Sequence, residues 1–316
     1  LVVLATADIL NALTMNPAKL SLPMLQLEFP AHWGDYTLLD SGNGFKLEKY
    51  GPYTLLRPEA EAVWSPALAE SEWKKANASY KPAQEENGGH WEFRGNKIEQ
   101  WPMSYGDLKF TAQFSGSRHV GVFPEQACQW DWAKSVIRRA AGTPKVLNLF
   151  GYTGLASLSA ARAGAAITHV DASKKVVTWA KENQALSGVA PTAIRWIVDD
   201  AVKFVQREAR RGVSYDGIIL DPPKFGRGPK GEVWEFYKLL PSLLAACKEV
   251  LSPKPLFVQL TAYAVKASAV TLQQALAEMM GSYGGQVSAG EMGLLEKSAG
   301  RFLSMAIFAR WCSQPQ

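Results

Sequence analysis

Apolar and polar positions alternate along this chain in two different rhythms. Between residues 36 and 114 apolar side chains recur at every second position in short runs, at 36–44, 45–51, 53–58, 90–94 and 108–114. That period belongs to half-buried strands, and glycine turns after Asp40 and Tyr50 predict tight connections. Residues 67–89 are polar and carry Lys74, Lys75 and Lys81; they read as a helix followed by a loop. After residue 127 the rhythm changes. Helical spacing covers 128–139, 155–162, 173–187, 201–211, 234–251 and 270–280. Between these helices lie short apolar runs at 146–150, 166–170, 192–198, 215–220 and 256–261, as expected of strands covered on both faces.

Such alternation predicts a doubly wound α/β sheet. Residues 293–296 and 301–311 predict an antiparallel hairpin about 297–300 that closes it. The sequence therefore divides into a lead-in over 1–24, a smaller β-rich domain over 25–120 and an α/β domain over 121–316. Residues 119–126 form the link.

Composition narrows the class. The 316 residues, 47% of them apolar, can build two medium domains. No run reaches the ~18 apolar residues of a membrane span. Residues 1–5 lack the basic start and long apolar stretch of an export signal. Three cysteines at unrelated spacings predict neither a disulfide framework nor a metal site and fit a reducing cytoplasm. A net charge of +5 and a pI of 9.0 fit a nucleic-acid partner and simple solubility alike. The aromatics of the β-rich domain have the same two readings, core or base-stacking surface. Oligomeric state stays open, homo-oligomers included.

The chemistry concentrates in residues 145–171. An apolar strand runs into the turn Gly151-Tyr152-Thr153-Gly154, a small-residue helix follows, and a second strand ends at Asp171, 20 residues past the first glycine. An acid there can accept hydrogen bonds from both hydroxyls of an adenosine ribose. A dinucleotide turn needs a third glycine to approach its pyrophosphate. This one has none in register, which favours S-adenosylmethionine over a dinucleotide. Further acids end the next two strands, Asp199-Asp200 and Asp221. Ligands of open α/β sheets bind at those ends. An acid at the Asp199-Asp200 strand end can accept from an adenine amine. In Asp221-Pro222-Pro223-Lys224-Phe225 the prolines donate nothing, so carbonyls stay free to grip a base amine while Phe225 lies on the ring.

These motifs resemble the class I S-adenosylmethionine-dependent methyltransferases, with a Rossmann-like sheet. Within them the chain is most similar to the bacterial 23S ribosomal RNA large-subunit branch that modifies cytosine or guanine. The resemblance covers about 105–311 and rests on N-L-F-G-Y-T-G, V-D-A-S, N-x-x-L-S-G, D-D-A-V-K-F, D-P-P-K-F and G-V-F-P-E-Q. It implies that Phe150, Tyr152 and Thr153, with Asn148 and Gly151 of the same motif, flank the methionine part of the cofactor. Asp171, with Ala172 and Ser173, holds the ribose. Asp199, Asp200 and Ala201 meet the adenine. Asp221 lies by the methyl group, and Gln126 is a further cofactor contact. Pro222, Pro223 and Phe225 complete the catalytic turn. Lys224, Arg227, Lys230 and Tyr263 would face an RNA substrate.

One departure bears on mechanism. Methylation at cytosine carbon 5 needs a cysteine thiolate, which in this branch follows the fifth strand. Here that place reads Leu260-Thr261-Ala262-Tyr263. Direct transfer to a nitrogen is therefore expected. A small-molecule or protein acceptor, a dinucleotide oxidoreductase and a non-catalytic RNA-binding protein are the alternatives.

Overall fold

The computed structural model describes residues 24–83, 88–97 and 99–313. The readings made for residues 1–23 lie outside the described residues.

β1 (Leu25–Glu28) departs from the expected boundary at residue 25. It is the edge strand of the large sheet, parallel to a strand near the chain's end, with Leu25 opposite Ala289. Glu28 holds it there by accepting from the buried Arg310 guanidinium at 3.0 Å. The N-terminal sheet begins only at residue 36. It consists of β2 (Tyr36–Gly42), β3 (Phe45–Tyr50), β4 (Tyr53–Pro58), β5 (Ala78–Pro82) and β6 (Gly89–Phe93), paired in that order. β7 (Gln100–Tyr105) and β8 (Leu108–Gln113) form a hairpin against it. Within 67–89 the expected helix shrinks to one turn, α1 (Glu70–Trp73), before β5. β5 escaped the pattern because its buried face is only an alanine and a tyrosine. The aromatics of this region are largely core: Tyr36, Tyr50, Trp101 and Phe110 are all buried.

The second half alternates as expected. α2 (Ala127–Arg139) leads into β9 (Lys145–Leu149), α3 (Leu155–Arg162), β10 (Ala166–Asp171), α4 (Lys174–Leu186), β11 (Ile194–Val198), α5 (Ala201–Arg210) and β12 (Gly217–Leu220). The expected loop over 226–231 is instead the tip of a small hairpin, β13 (Phe225–Arg227) against β14 (Val233–Glu235). Then come α6 (Phe236–Glu249), β15 (Phe257–Ala262), α7 (Ala269–Met280), β16 (Gln286–Leu295) and β17 (Phe302–Cys312). β16 starts well before residue 293 because small and polar residues hide its first half.

The sheet order is β1-β16-β17-β15-β12-β9-β10-β11. Only β17 runs antiparallel to its neighbours. The chain winds outward from β9 through β10 and β11, then crosses back to β12 and β15. Winding reverses between β9 and β12, and a crevice opens above their carboxyl ends. Val146, Leu147 and Leu149 of β9 are fully buried because helices cover both faces. Each such side chain stabilises the sheet by about 1.5–3 kcal/mol.

The two halves share one core, in which Tyr36, Tyr50 and Phe110 join Trp130, Leu158 and Ile194. The turn after β16 locks them: Lys297 and Ser298 donate their backbone N–H groups to Leu38 and Leu39 carbonyls at 2.9 and 3.1 Å. Beneath that turn, Arg301 binds buried Asp40 and Glu296. The N-terminal sheet is thereby fixed over one side of the crevice. No helix among the described residues is long and apolar enough to cross a membrane.

Candidate active site

A cleft of about 910 Å³ lies over the carboxyl ends of β9 to β12, walled on one side by the N-terminal sheet. Its floor is the glycine turn. Phe150 and Tyr152 adopt left-handed backbone, with φ of 58° and 49°. Such residues cost of order 1–3 kcal/mol each and persist where the surroundings hold them. Here Gly151 N–H donates to the Val170 carbonyl at 3.1 Å. Tyr152 N–H donates to Asp171 Oδ2 at 3.0 Å. Asn183 of α4 donates to the Thr153 carbonyl at 3.0 Å, and Thr153 Oγ1 donates to Gly121 O at 2.7 Å. Gly154 has a φ of 85° and starts α3, which only glycine does without strain.

The strand-end acids take distinct tasks. Asp171 accepts from Tyr152 N–H with one oxygen and from Ser173 N–H, at 2.8 Å, with the other. Burial raises its pKa, while these two donors favour the carboxylate. It also lines the cleft, so it both shapes the turn and stands where it can receive ribose hydroxyls. Asp200 caps α5, accepting from Lys203 N–H at 2.9 Å. Asp199 is bound by Arg207 and receives the Asp200 N–H at 2.9 Å. These bonds occupy one oxygen of Asp200 and draw both oxygens of Asp199 into the loop. The Asp199–Asp200 pair thus builds the pocket wall as well as lining it.

Asp221 ends β12 at the centre of the cleft. Thr261 Oγ1 donates to Asp221 Oδ1 at 2.5 Å, and Gln126 Nε2 donates to Oδ2 at 3.0 Å. Burial is the main influence and pushes its pKa up to about 6; the Glu125 carboxyl adds to the rise, and the two donors oppose it. Of the carbonyls expected to stay free, that of Pro223 is taken by Trp234 Nε1 at 2.6 Å. The Trp234 ring in turn packs on Phe150, with centroids 5.0 Å apart. The turn is thus tied down from below, and Phe225, 55% exposed, stands at the cleft mouth.

Of the residues expected from sequence, Phe150, Tyr152, Asp171, Ala172, Ser173, Asp199, Asp200, Ala201 and Asp221 all line the cleft. So do Pro222, Pro223, Lys224, Phe225, Arg227 and Tyr263. Gln126, Asn148, Gly151 and Thr153 lie around a small recess beneath it. Asn148 is buried and donates to Ser157 Oγ at 2.9 Å, so it supports the turn from below. Lys230 is not part of the cleft wall. It sits at the hairpin tip, its N–H held by Glu232 at 2.9 Å.

Sequence reasoning missed several contributors. Lys46 and Arg57 of the N-terminal sheet reach the cleft, each already paired, Lys46 with Glu59 at 3.1 Å and Arg57 with Glu48 at 2.7 Å. No local signal marks residues so far from the motifs. Glu125 also lines the cleft, and its position beside Gln126 in G-V-F-P-E-Q was the available signal. His119, stacked on Phe123 at 4.6 Å, is held neutral by burial and by the cations Arg57, Arg118 and Lys46.

Fold and site together are a doubly wound α/β sheet with a glycine turn and a buried acid at its crevice. The chain belongs to the S-adenosylmethionine-dependent methyltransferases, whose family model matches residues 45–258. A solved SAM-dependent methyltransferase from Agrobacterium tumefaciens is 47% identical and superposes with a TM-score of 0.88 over 93% of this chain and 94% of that one. A chain from Streptococcus mutans assigned to the same class superposes at 0.67 with 17% identity, over 88% of this chain and 75% of that one, a likeness of fold alone. The ribosomal RNA large subunit methyltransferase K/L of Shewanella frigidimarina is 31% identical over 159 residues, 50% of this chain and 21% of that protein. Its counterpart from Shewanella sp. (strain ANA-3) is 32% identical over 138 residues, 43% of this chain and 19% of that protein. The match therefore spans about a fifth of these relatives.

The cleft suits that cofactor. Asp171 offers paired acceptors for vicinal hydroxyls at the cleft wall. Bound S-adenosylmethionine supplies an electrophilic methyl group.

Proposed function

We propose that this chain methylates a nitrogen of an RNA base, with ribosomal RNA as the substrate. The carrying observation is the mouth of the cleft at Asp221. Exposed Phe225 offers a ring face beside the buried acid, and Lys224 and Arg227 flank it. A flat base entering there would stack on Phe225, its phosphates met by cations. Asp221 would accept a hydrogen bond from the base nitrogen and orient it for in-line attack. The names of the Shewanella relatives support RNA as the acceptor class.

Placement of the cysteines supports direct transfer. Cys128 is pushed up to about 12 by burial, and burial pushes Cys247 up as well. None of the three thiols lines the cleft. In this reading Asp171, Asp199 and Asp200 hold the adenosine, and Phe150, Tyr152, Thr153 and Gln126 flank the methionine part. The N-terminal sheet, as a domain distinct from the catalytic one, forms the far wall of the substrate entrance. Cytoplasmic action on ribosomes fits the reduced cysteines.

The test is methyl transfer from labelled cofactor to total RNA, followed by nucleoside analysis. A labelled N-methylated nucleoside is expected. Label confined to protein or small molecules, or found on cytosine carbon 5, would overturn the proposal.

A further inference from the structure

Glu125 lines the cleft yet is only 2% exposed. It lies on the helical turn Pro124–Gln126, next to the glutamine that donates to Asp221. The buried Tyr263 hydroxyl lies near Glu125 and makes no hydrogen bond to the described residues. Among the described residues no side-chain donor is bonded to the Glu125 carboxyl, and its own backbone N–H is the donor that favours the carboxylate. A buried carboxyl with unfilled acceptor positions is costly, and proteins seldom keep one without use.

The neighbours of Glu125 decide which ligand it serves. From β3 and β4 it is faced by Lys46, Glu48, Arg57 and Tyr50. From the ends of β12 and β15 it is faced by Asp221 and Tyr263, and from its own helix by Cys128. The two cations are already bound to Glu59 and Glu48, so they moderate its charge without neutralising it. Its surroundings are those of the N-terminal wall and the reaction centre, not those of Asp171, Asp199 or Asp200. Glu125 therefore belongs to the acceptor's side of Asp221.

We propose that Glu125 is the proton acceptor of this methyl transfer. Its carboxylate receives a hydrogen bond from the nitrogen that is methylated and takes up the proton that nitrogen must lose. The inference rests on the nitrogen-acceptor reading above. The nitrogen lone pair forms the N–C bond, the S–C bond breaks with its electron pair staying on sulfur, and the N–H proton passes to a Glu125 oxygen. Charge balances: the positive charge leaves sulfur, appears on nitrogen and is cancelled when the proton neutralises the carboxylate. Asp221 orients the acceptor. Burial raises the Glu125 pKa, which makes its carboxylate a stronger base than a surface glutamate.

The test uses the full chain, methylatable RNA and saturating cofactor in single-turnover assays between about pH 5 and pH 9. Glu125→Gln should lower the rate at least about 100-fold, and Glu125→Asp should recover part of it. The acid limb of the residual rate should move to lower pH, because Asp221 loses a like-charged neighbour. Binding of S-adenosylhomocysteine should stay within about threefold, since the lost contact is to the acceptor. A wild-type rate in Glu125→Gln overturns the proposal. So does a weakened S-adenosylhomocysteine affinity with an unchanged saturated rate, which would assign Glu125 to the cofactor's ammonium. An infrared titration without RNA supplies an independent readout, the carboxyl band being identified by its shift in Glu125→Asp. It should titrate above the ordinary glutamate range; an ordinary value overturns the proposal. Wild-type protein that leaves RNA unlabelled refutes the RNA reading alone, and the infrared result still decides on Glu125.

Discussion

Gly151 rests on the ring of His169: a β-carbon built on Gly151 would stand 2.3 Å from His169 Cε1. The ring cannot easily yield. It bonds Ser157 Oγ at 3.0 Å and packs on Trp196 at 4.5 Å. Burial drives its pKa down to about 3, so it is a neutral spacer. Gly151→Ala should therefore lift the turn that carries Phe150 and Tyr152. We expect S-adenosylhomocysteine affinity to fall at least about tenfold, the equivalent of 1.4 kcal/mol. Calorimetry on the folded variant checks this, and an unchanged affinity would refute it.

Asp171→Ala removes the acceptor for two backbone donors as well as for the ribose. Cofactor binding should weaken by about 1–3 kcal/mol. Preferential binding of NAD by the wild type would contradict the assignment altogether.

Asp221 couples activity to pH. Methyl transfer should fall as pH drops through about 6, where its carboxylate is protonated. Thr261→Val removes a hydrogen bond that favours the carboxylate and should move this limb up by about one unit. Stability carries the opposite sign. Because the folded pKa lies above the unfolded one, the folded state binds the proton more tightly. The group's contribution is best below about pH 4 and declines as pH rises through about 6. A shift from 3.8 to about 6 corresponds to about 3 kcal/mol. Asp221→Asn should thus gain up to about that much stability at pH 8 while losing at least about 100-fold in turnover. Thermal unfolding and single-turnover assays measure the two; a less stable or fully active variant contradicts the reading.

Lys224 and Arg227 line the cleft mouth and Lys230 does not. Replacing the first two by Ala should weaken RNA binding and flatten its salt dependence by up to about two charge units. Lys230→Ala should change the slope by less than about one unit. A salt slope indifferent to Lys224 and Arg227 would place the RNA elsewhere.

Replacing Cys128, Cys247 and Cys312 together by Ser should leave turnover within about tenfold, provided folding survives. RNA containing 5-fluorocytosine should form no covalent adduct on a denaturing gel. An adduct lost with one cysteine would end the direct-transfer mechanism.

How much of this was legible beforehand follows from how each signal is encoded. The α/β order from β9 to β15 was readable because strands covered on both faces are short apolar runs between amphipathic helices. The turn at residues 151–154 and the acids Asp171, Asp199, Asp200 and Asp221 were readable because their spacing follows from local geometry, each acid ending its strand. β5 and the first half of β16 were not. Their apolar positions are few or small, and only pairing with a neighbour makes them strands.

Other features exist only in three dimensions. That β1 joins the far edge of the large sheet depends on its pairing with β16 and on Arg310, 282 residues from Glu28. Lys46 and Arg57 reach the cleft because the turn after β16 pins the N-terminal sheet over it, and long-range contacts leave no periodic trace in sequence. The sequence by itself determined the cofactor class, the sheet and the acid at its centre. Only the tertiary structure decided which groups surround that acid, and with them its pKa, because desolvation and charge coupling depend on distance through space.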